Sequence, residues 1–233
     1  MPIDFTNAAK YYKEEPHQVA AWNFLQGKVR PKVLEEFAEM YRAAPPAPEP
    51  EPVNTTLITP QIMQQLTGYS ASAFDDVFCT DFNKLLEVTD FIKHKKEMCM
   101  LIGNLMHETA NFKYMKEIAD GWAYEGRTDL GNTEPGDGPK FKGTGVLQLT
   151  GRYNYTRFSQ DIGDPEVVNQ GCDYVCDKYP FMSATTWIAD NNLLLTCLTS
   201  GFDDCCYRIN GGWNGYEDRK HHYNIALKVF GVQ

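Results

Sequence analysis

Positive charge and long apolar runs are what this sequence has least of. It contains 22 Lys and Arg residues against 31 Asp and Glu, a formal net charge of −9, and no basic block suited to phosphate groups. No apolar run approaches the length of a membrane span. The first residues, Met1 to Asn7, have neither the basic nor the apolar region of a signal peptide. We therefore predict that the protein binds no nucleic acid, does not insert into membranes and stays in the cytoplasm where it is made.

Cysteine is absent from the first 55 residues, and all seven cysteines lie beyond them. An odd number without an export signal favours free thiols, with a disulfide as the alternative. Cys172, Cys176, Cys205 and Cys206 suggest a zinc site only weakly, because their spacing is not that of a zinc ribbon and adjacent cysteines rarely bind one ion. We predict no metal and no cofactor.

Proline and glutamate alternate in one segment, 43–55, which predicts a stiff linker that forms neither helix nor sheet. It separates a small helical segment, 1–42, from a body, 56–233. The segment 1–42 has the apolar spacing of two short helices, and is interpreted either as a wall-binding module or as a docking appendage.

Strand signals are sparse in the body, which we predict to be mainly α-helical with a small β element. Thr59 and Pro60 are suited to a helix start, and a helix should end near Gly68. Further helices are expected over about 93–109, 183–198 and 216–230, and a short strand over 146–150. The Gly-rich and Pro-rich stretch 121–145 predicts a long functional loop.

Two glutamates in this body suggest hydrolytic chemistry. The apolar stripe of the helix 93–109 continues to position 108, so we expect Glu108 at the helix end, partly desolvated, where core meets cleft. Glu117 follows nine residues later. Cleaving a sugar acetal requires one carboxylic acid to protonate the leaving oxygen and one carboxylate to act on water or carbon. The two glutamates are therefore candidates for these roles.

Three motifs occur in order: His107-Glu108-Thr109, the stretch Phe141 to Tyr155 (FKGTGVLQLTGRYNY), and Ile209-Asn210-Gly211-Gly212. As an ordered set, over roughly residues 57–230, they resemble glycoside hydrolase family 19, which contains chitinases and a branch of bacteriophage endolysins. The resemblance implies a lysozyme-like, bilobal, mostly α fold and an inverting mechanism.

The resemblance also implies roles for individual residues. Glu108 matches the general acid, and Glu117 matches the general base of the endolysin branch; Glu125, on the loop where chitinases place theirs, is the alternative base. Thr150 matches a hydroxyl that holds the attacking water. The remaining matches and candidates are substrate-binding or bracing residues: His107, Tyr124, Gln148, Asn154, Asn210, Trp213 and Arg219.

The chain departs from the family pattern at two places. It has Thr144 where the family commonly has arginine, and Ala110 and Asn111 where the family commonly has two glycines. Our first functional hypothesis is an endolysin-type monomer that cleaves the glycan strand of bacterial peptidoglycan and accumulates in a host cytoplasm until a separate permeabilising protein releases it. The alternatives are a chitinase of the same fold and, because of these departures, a non-catalytic glycan-binding protein.

Overall fold

The computed structural model describes residues 57–232. The predicted helical segment 1–42 and most of the linker 43–55 lie outside these residues, so both stay predictions. The described part of the chain is built from ten α-helices, joined by short 3-10 turns and loops: α1 Pro60–Thr67, α2 Asp76–Val88, α3 Lys95–Glu108, α4 Asp137–Lys140, α5 Arg152–Ile162, α6 Glu166–Gln170, α7 Cys172–Lys178, α8 Thr185–Asp190, α9 Leu193–Asn210 and α10 Tyr216–Val229.

Three of these helices follow their sequence signals closely. The Thr59 side chain accepts a hydrogen bond from Ile62 N at 3.2 Å, Pro60 opens α1, and Gly68 ends it in the left-handed conformation. The apolar stripe of α3, from Met98 to Met106, is fully buried. The last helix, α10, begins at Tyr216 as predicted.

Two hydrophobic cores organise the described residues. The larger one is formed mainly by α1, α2, α3 and the helices from α8 to α10. The smaller one lies around α5, α6 and α7, and its fully buried rings are Phe141, Tyr155 and Phe158. Met182 packs against both. Two cores in a mainly helical body confirm the predicted bilobal architecture.

Helices α3 and α10 approach each other closely at Gly103. A β-carbon built there would lie 2.6 Å from Tyr223 N and 2.8 Å from its Cα. Glycine is therefore required for the two backbones to meet, and their contact sets the relative position of the ends of α3 and α10.

Two predicted elements are wrong. Residues 146–150 form no strand: β pairing in the described residues is limited to isolated bridges from Thr144 to Lys116 and Leu149. The single helix expected over 183–198 is instead a 3-10 turn, α8 and the start of α9, because Asn192 adopts left-handed angles (φ 48°) that interrupt the helix.

The seven cysteines, all within the described residues, are free thiols. Residues 57–232 contain no group of three or more His, Cys, Asp or Glu side chains placed to share a metal ion, so the weakly suggested zinc site is not formed there. Nor does this part of the chain contain a helix long and apolar enough to cross a membrane.

Candidate active site

Glu108 is the last residue of α3, as the apolar periodicity predicts. Its side chain is 28 % exposed, and Arg219 Nη2 donates to its Oε1 at 2.5 Å. Within residues 57–232 its Oε2 accepts no hydrogen bond. The guanidinium thus fixes the orientation of the carboxyl group and leaves one oxygen available to a ligand.

Arg219 is itself held by a buried side chain of α3. The side chain is only 2 % exposed, and its Nη1 donates to Asn104 Oδ1 at 3.0 Å. Asn104 is fully buried on α3, one turn before Glu108, and donates in turn to Met100 O at 2.9 Å. Sequence analysis missed Asn104; the only signal was a polar residue inside the apolar stripe of α3.

A second hydrogen-bonded pair lies next to the first. His107 Nδ1 is 2.7 Å from Asp218 Oδ2, so consecutive residues of α3 bind consecutive residues of α10. The hydrogen bond with His107 is the main cause that lowers the pKa of Asp218. This contact agrees with the predicted bracing role of His107, and it adds Asp218 to the candidate site.

The chain leaves α3 through an unusual turn. Ala110, Asn111 and Phe112 all have positive φ, at 49°, 62° and 64°, although none is glycine. The Thr109 hydroxyl accepts from Phe112 N at 2.8 Å and stabilises this turn. The replacement of the two family glycines by Ala110 and Asn111 therefore carries a conformational cost directly after Glu108.

Glu117 is half-buried and is held by neutral donors. Tyr124 Oη donates to its Oε1 at 3.1 Å, and Gly143 N donates to its Oε2 at 3.1 Å. Burial, followed by the hydrogen bond to Glu117, raises the pKa of Tyr124, so the phenol stays a donor at neutral pH. Lys116, the residue before Glu117, forms an ion pair with Asp173 at 2.5 Å and not with Glu117.

Glu125, the alternative base, has a different environment. Its Oε1 accepts from Gly136 N and its Oε2 from Gly138 N, both at 2.8 Å. Both oxygens therefore fasten the loop that begins α4. These contacts give Glu125 a structural role in the loop, and the choice between Glu117 and Glu125 as the base stays a prediction.

Because Gly143 has no side chain, the side chains of Gln148 and Glu117 can both lie next to it. A β-carbon on Gly143 would lie 2.4 Å from Gln148 Oε1 and 3.1 Å from Glu117 Oε2. Beyond Gln148, the Thr150 hydroxyl donates to Gln148 O at 2.9 Å, and Asn154 Nδ2 donates to Thr150 O at 2.9 Å. The lone pairs of the Thr150 hydroxyl and Asn154 Oδ1 are left to accept hydrogen bonds, although neither residue forms a hydrogen bond with Glu117 within the described chain.

Asn210 and Trp213 lie at the end of α9. Asn210 Nδ2 is buried and has no hydrogen-bond partner among the described residues. Trp213 is 57 % exposed and its ring packs against those of Tyr207 and Tyr216.

Thr144, which stands where the family pattern has arginine, is buried and contacts two backbone oxygens. Its hydroxyl lies 3.3 Å from Met115 O and 3.2 Å from Cys172 O. The side chain therefore points into the protein and fastens the glycine loop, so this departure alters the support of the site and leaves both glutamates in place.

No family model matches the chain. Among curated proteins, it is 30 % identical over 107 residues to a glycosyl hydrolase family 19 domain-containing protein of Haemophilus influenzae, covering 45 % of this chain and 50 % of that protein. It is 29 % identical over 144 residues to an endochitinase of Arabidopsis thaliana, covering 59 % and 50 %. The sequence relates this chain to glycoside hydrolase family 19. The chain spans about half the length of the curated relatives it matches.

Solved structures of family 19 share the fold. Chitinase C from Streptomyces griseus superposes with a TM-score of 0.57 at 17 % identity, covering 77 % of this chain and 95 % of that one. A class IV chitinase from Zea mays gives 0.53 at 21 %, covering 66 % and 81 %. These likenesses confirm the predicted family 19 fold.

The predicted site residues thus fall into two groups. The first group lies where α3 ends and α10 begins, and contains His107, Glu108 and Arg219. The second group lies around Gly143, and contains Glu117, Tyr124 and Gln148. The two groups are joined through residues 109–116, and Gly145 N donates to Met115 O at 2.6 Å. Their catalytic roles stay predictions.

Proposed function

We propose that this family 19-related chain is a glycoside hydrolase that cleaves its substrate with inversion, Glu108 being the acid and Glu117 the base. The observation that carries the proposal is the contrast between the two carboxyl groups. Glu108 is held by a buried guanidinium, and Glu117 by a phenol and a backbone N–H. The two carboxyl groups thus have distinct environments, as two distinct roles require, and the order of the motifs assigns the acid to Glu108 and the base to Glu117.

In the proposed reaction, Glu108 donates a proton to the oxygen of the leaving sugar as the glycosidic bond breaks. Glu117 removes a proton from a water molecule, whose oxygen bonds to the anomeric carbon from the opposite face. Thr150 is assigned to the water, and Gln148, Asn154 and Asn210 to the sugar. The net change is the addition of one water across the bond, with inverted configuration at the anomeric carbon.

The first substrate that we propose is the glycan strand of bacterial peptidoglycan. The supporting feature is the run from Gly131 to Gly138, which resembles the phage and bacterial branch of the family. A protein of this kind would accumulate in the host cytoplasm and reach the wall through a separate permeabilising protein.

The second candidate substrate is chitin. It is favoured by the names of the relatives, since two of those matched are endochitinases, from Arabidopsis thaliana and Zea mays. Both polymers contain N-acetylated amino sugars, for which amide and hydroxyl side chains are suitable partners.

The test compares wild type with Glu108→Gln, Glu117→Gln and Glu125→Gln on two substrates: outer-membrane-stripped bacterial walls, followed by turbidity, and glycol chitin, followed by reducing ends. We expect Glu108→Gln and Glu117→Gln to lower the rate by about 10²–10⁴-fold, because each removes a proton-transfer group. Glu125→Gln should retain most activity at matched thermal stability.

Each other result has a definite meaning. Activity that survives Glu117→Gln but is lost in Glu125→Gln would move the base to Glu125. Cleavage of one substrate alone would select it, and NMR of the first product would test inversion. No release of reducing ends from either substrate would contradict the proposal and favour a non-catalytic glycan-binding protein.

A further inference from the structure

A groove, which we call the α9 groove, lies along α9. Its volume is about 790 Å³, and neither Glu108 nor Glu117 lines it. Its walls come from both sides of Gly201, where α9 is kinked (φ 82°): Asn191, Asn192, Thr199 and Ser200 before the kink, Tyr207 and Gly211 after it. The volume lies within the range of roughly 300–1,000 Å³ of small-ligand sites.

The polar groups of the α9 groove are suited to sugar hydroxyls. The Thr199 hydroxyl donates to Leu195 O at 2.8 Å, and Asn191 Nδ2 donates to Trp187 O at 2.9 Å. Ser200 Oγ lies 3.3 Å from the Thr199 oxygen and can donate to it, so one lone pair of that oxygen remains, together with Asn191 Oδ1, to accept hydrogen bonds from a ligand. Most lining side chains are uncharged, although Asp204 and Arg208 also contribute.

An aromatic pair connects the α9 groove with Trp213, one of the predicted substrate-binding residues. Tyr207 lines the groove and is 52 % exposed. Its ring centroid is 5.9 Å from that of Trp213. Gly211, at the groove end, directly follows Asn210, whose buried amide lacks a partner among residues 57–232. Exposed aromatic faces beside uncharged polar groups are suited to the apolar faces of sugar rings.

We propose that the α9 groove is a remote binding site for a chain of N-acetylated amino sugars, occupied by sugars of the polymer beyond those at the glutamates. The inference rests on the proposed function in one respect: the ligand is taken to be the glycan that the enzyme cleaves. Tyr207 supplies the stacking face, and the groove oxygens accept hydrogen bonds from sugar hydroxyls and N-acetyl N–H groups.

The test uses full-length Glu108→Gln protein, so that ligand is not consumed. Chitohexaose and chitotriose are titrated by calorimetry, detergent-extracted sacculi are used in sedimentation, and amide NMR shifts locate the bound sugar. We expect Tyr207→Ala to weaken chitohexaose binding about five-fold, by loss of one stacking contact, with much less effect on chitotriose. Thr199→Trp should do the same by filling the groove, without changing either ring of the Tyr207–Trp213 pair.

Matched controls replace exposed residues elsewhere: Tyr69→Ala and Thr80→Trp, both expected to bind as the parent protein does. Shifts at 191–211 that appear with chitohexaose but not with chitotriose would support the inference. Binding to sacculi alone, lost in both groove variants, would support it with peptidoglycan as the source.

Equal chitohexaose and sacculus affinities in parent, Tyr207→Ala and Thr199→Trp would overturn the inference, as would absence of binding to every ligand. The hydrolysis assay distinguishes the two proposals. Cleavage that requires Glu108 and Glu117 but is insensitive to groove variants leaves the proposed function standing alone. Groove-dependent binding without any cleavage would support the α9 groove as a glycan-binding site and contradict the proposed hydrolytic function.

Discussion

At the residue scale, the candidate acid depends on a buried cation. Arg219 is almost fully buried and contacts Glu108, Asn104 and the backbone oxygen of Asn214. A buried charge is tolerated only when its donors are paired, and removal of a partner leaves the full desolvation cost. Asn104, which has no contact with solvent, is therefore as much part of this site as the two charged groups.

We expect Asn104→Leu to lower the free energy of unfolding by about 2–3 kcal/mol, because Arg219 Nη1 loses its acceptor inside the protein. Urea denaturation measures the change. The same substitution at exposed Asn224, also on a helix, should change the free energy by no more than about 0.5 kcal/mol. Equal effects at the two positions would mean that Asn104 does not support Arg219.

At the scale of elements, the turn after α3 has a measurable cost. Left-handed backbone geometry costs a non-glycine residue roughly 1–2 kcal/mol of conformational free energy. Ala110, Asn111 and Phe112 all have this geometry. The contacts of Thr109 with Leu105 O and Phe112 N hold the turn against this cost.

Ala110 is exposed, so its replacement by glycine relieves strain without losing a packed side chain. We expect Ala110→Gly to raise the free energy of unfolding by about 0.5–1 kcal/mol, partly offset by the greater entropy of the unfolded chain. Ala189, exposed but inside α8, is the matched control: Ala189→Gly should lower the free energy by a similar amount. A loss of stability in both variants, by thermal unfolding, would contradict the strain argument.

Elements with strong local signals were predictable from sequence, and those set by distant contacts were not. α1 has its cap and proline, and α3 has a continuous apolar stripe, so both were predicted near their true bounds. α2, with Asp75 as N-cap, was not predicted. The strand expected over 146–150 lacks a paired neighbour, and Asn192 interrupts a helix whose apolar pattern continues through it.

The same division applies to the candidate site. Glu108, Arg219 and Gln148 were named from motifs, because their residue types and order carry the family pattern. Asn104 and Asp218 were not, because their roles arise from the packing of α3 against α10, more than a hundred residues apart in sequence.

At the scale of the whole molecule, one buried carboxyl group binds the chain after α7 to α2. Asp81 Oδ2 accepts from Phe181 N at 2.7 Å and from Met182 N at 3.1 Å. Phe181 stacks on Phe82 with ring centroids 4.0 Å apart, and Met182 contacts both cores. Asp81 thus stabilises the segment that connects the larger core with the smaller one.

This carboxyl group should make stability depend on pH. Burial raises the pKa of Asp81 to about 7 in the folded protein, whereas the unfolded value is about 3.9. Between these values the folded state binds the extra proton, so Asp81 stabilises the fold fully below about pH 4 and loses that contribution as pH rises to about 7. The loss is on the order of 2–4 kcal/mol.

Asp81→Asn tests this directly, because an amide oxygen can accept the same two N–H groups without titrating. We expect its free energy of unfolding, relative to wild type, to rise between pH 5 and pH 8 in urea denaturation. Asp190→Asn is the control: Arg157 lowers the pKa of Asp190, so that carboxyl group is ionised in both states throughout this range and its difference from wild type should stay constant. A constant difference for Asp81→Asn as well would mean that Asp81 is already ionised in the folded protein at pH 5, held in that form by its two backbone donors.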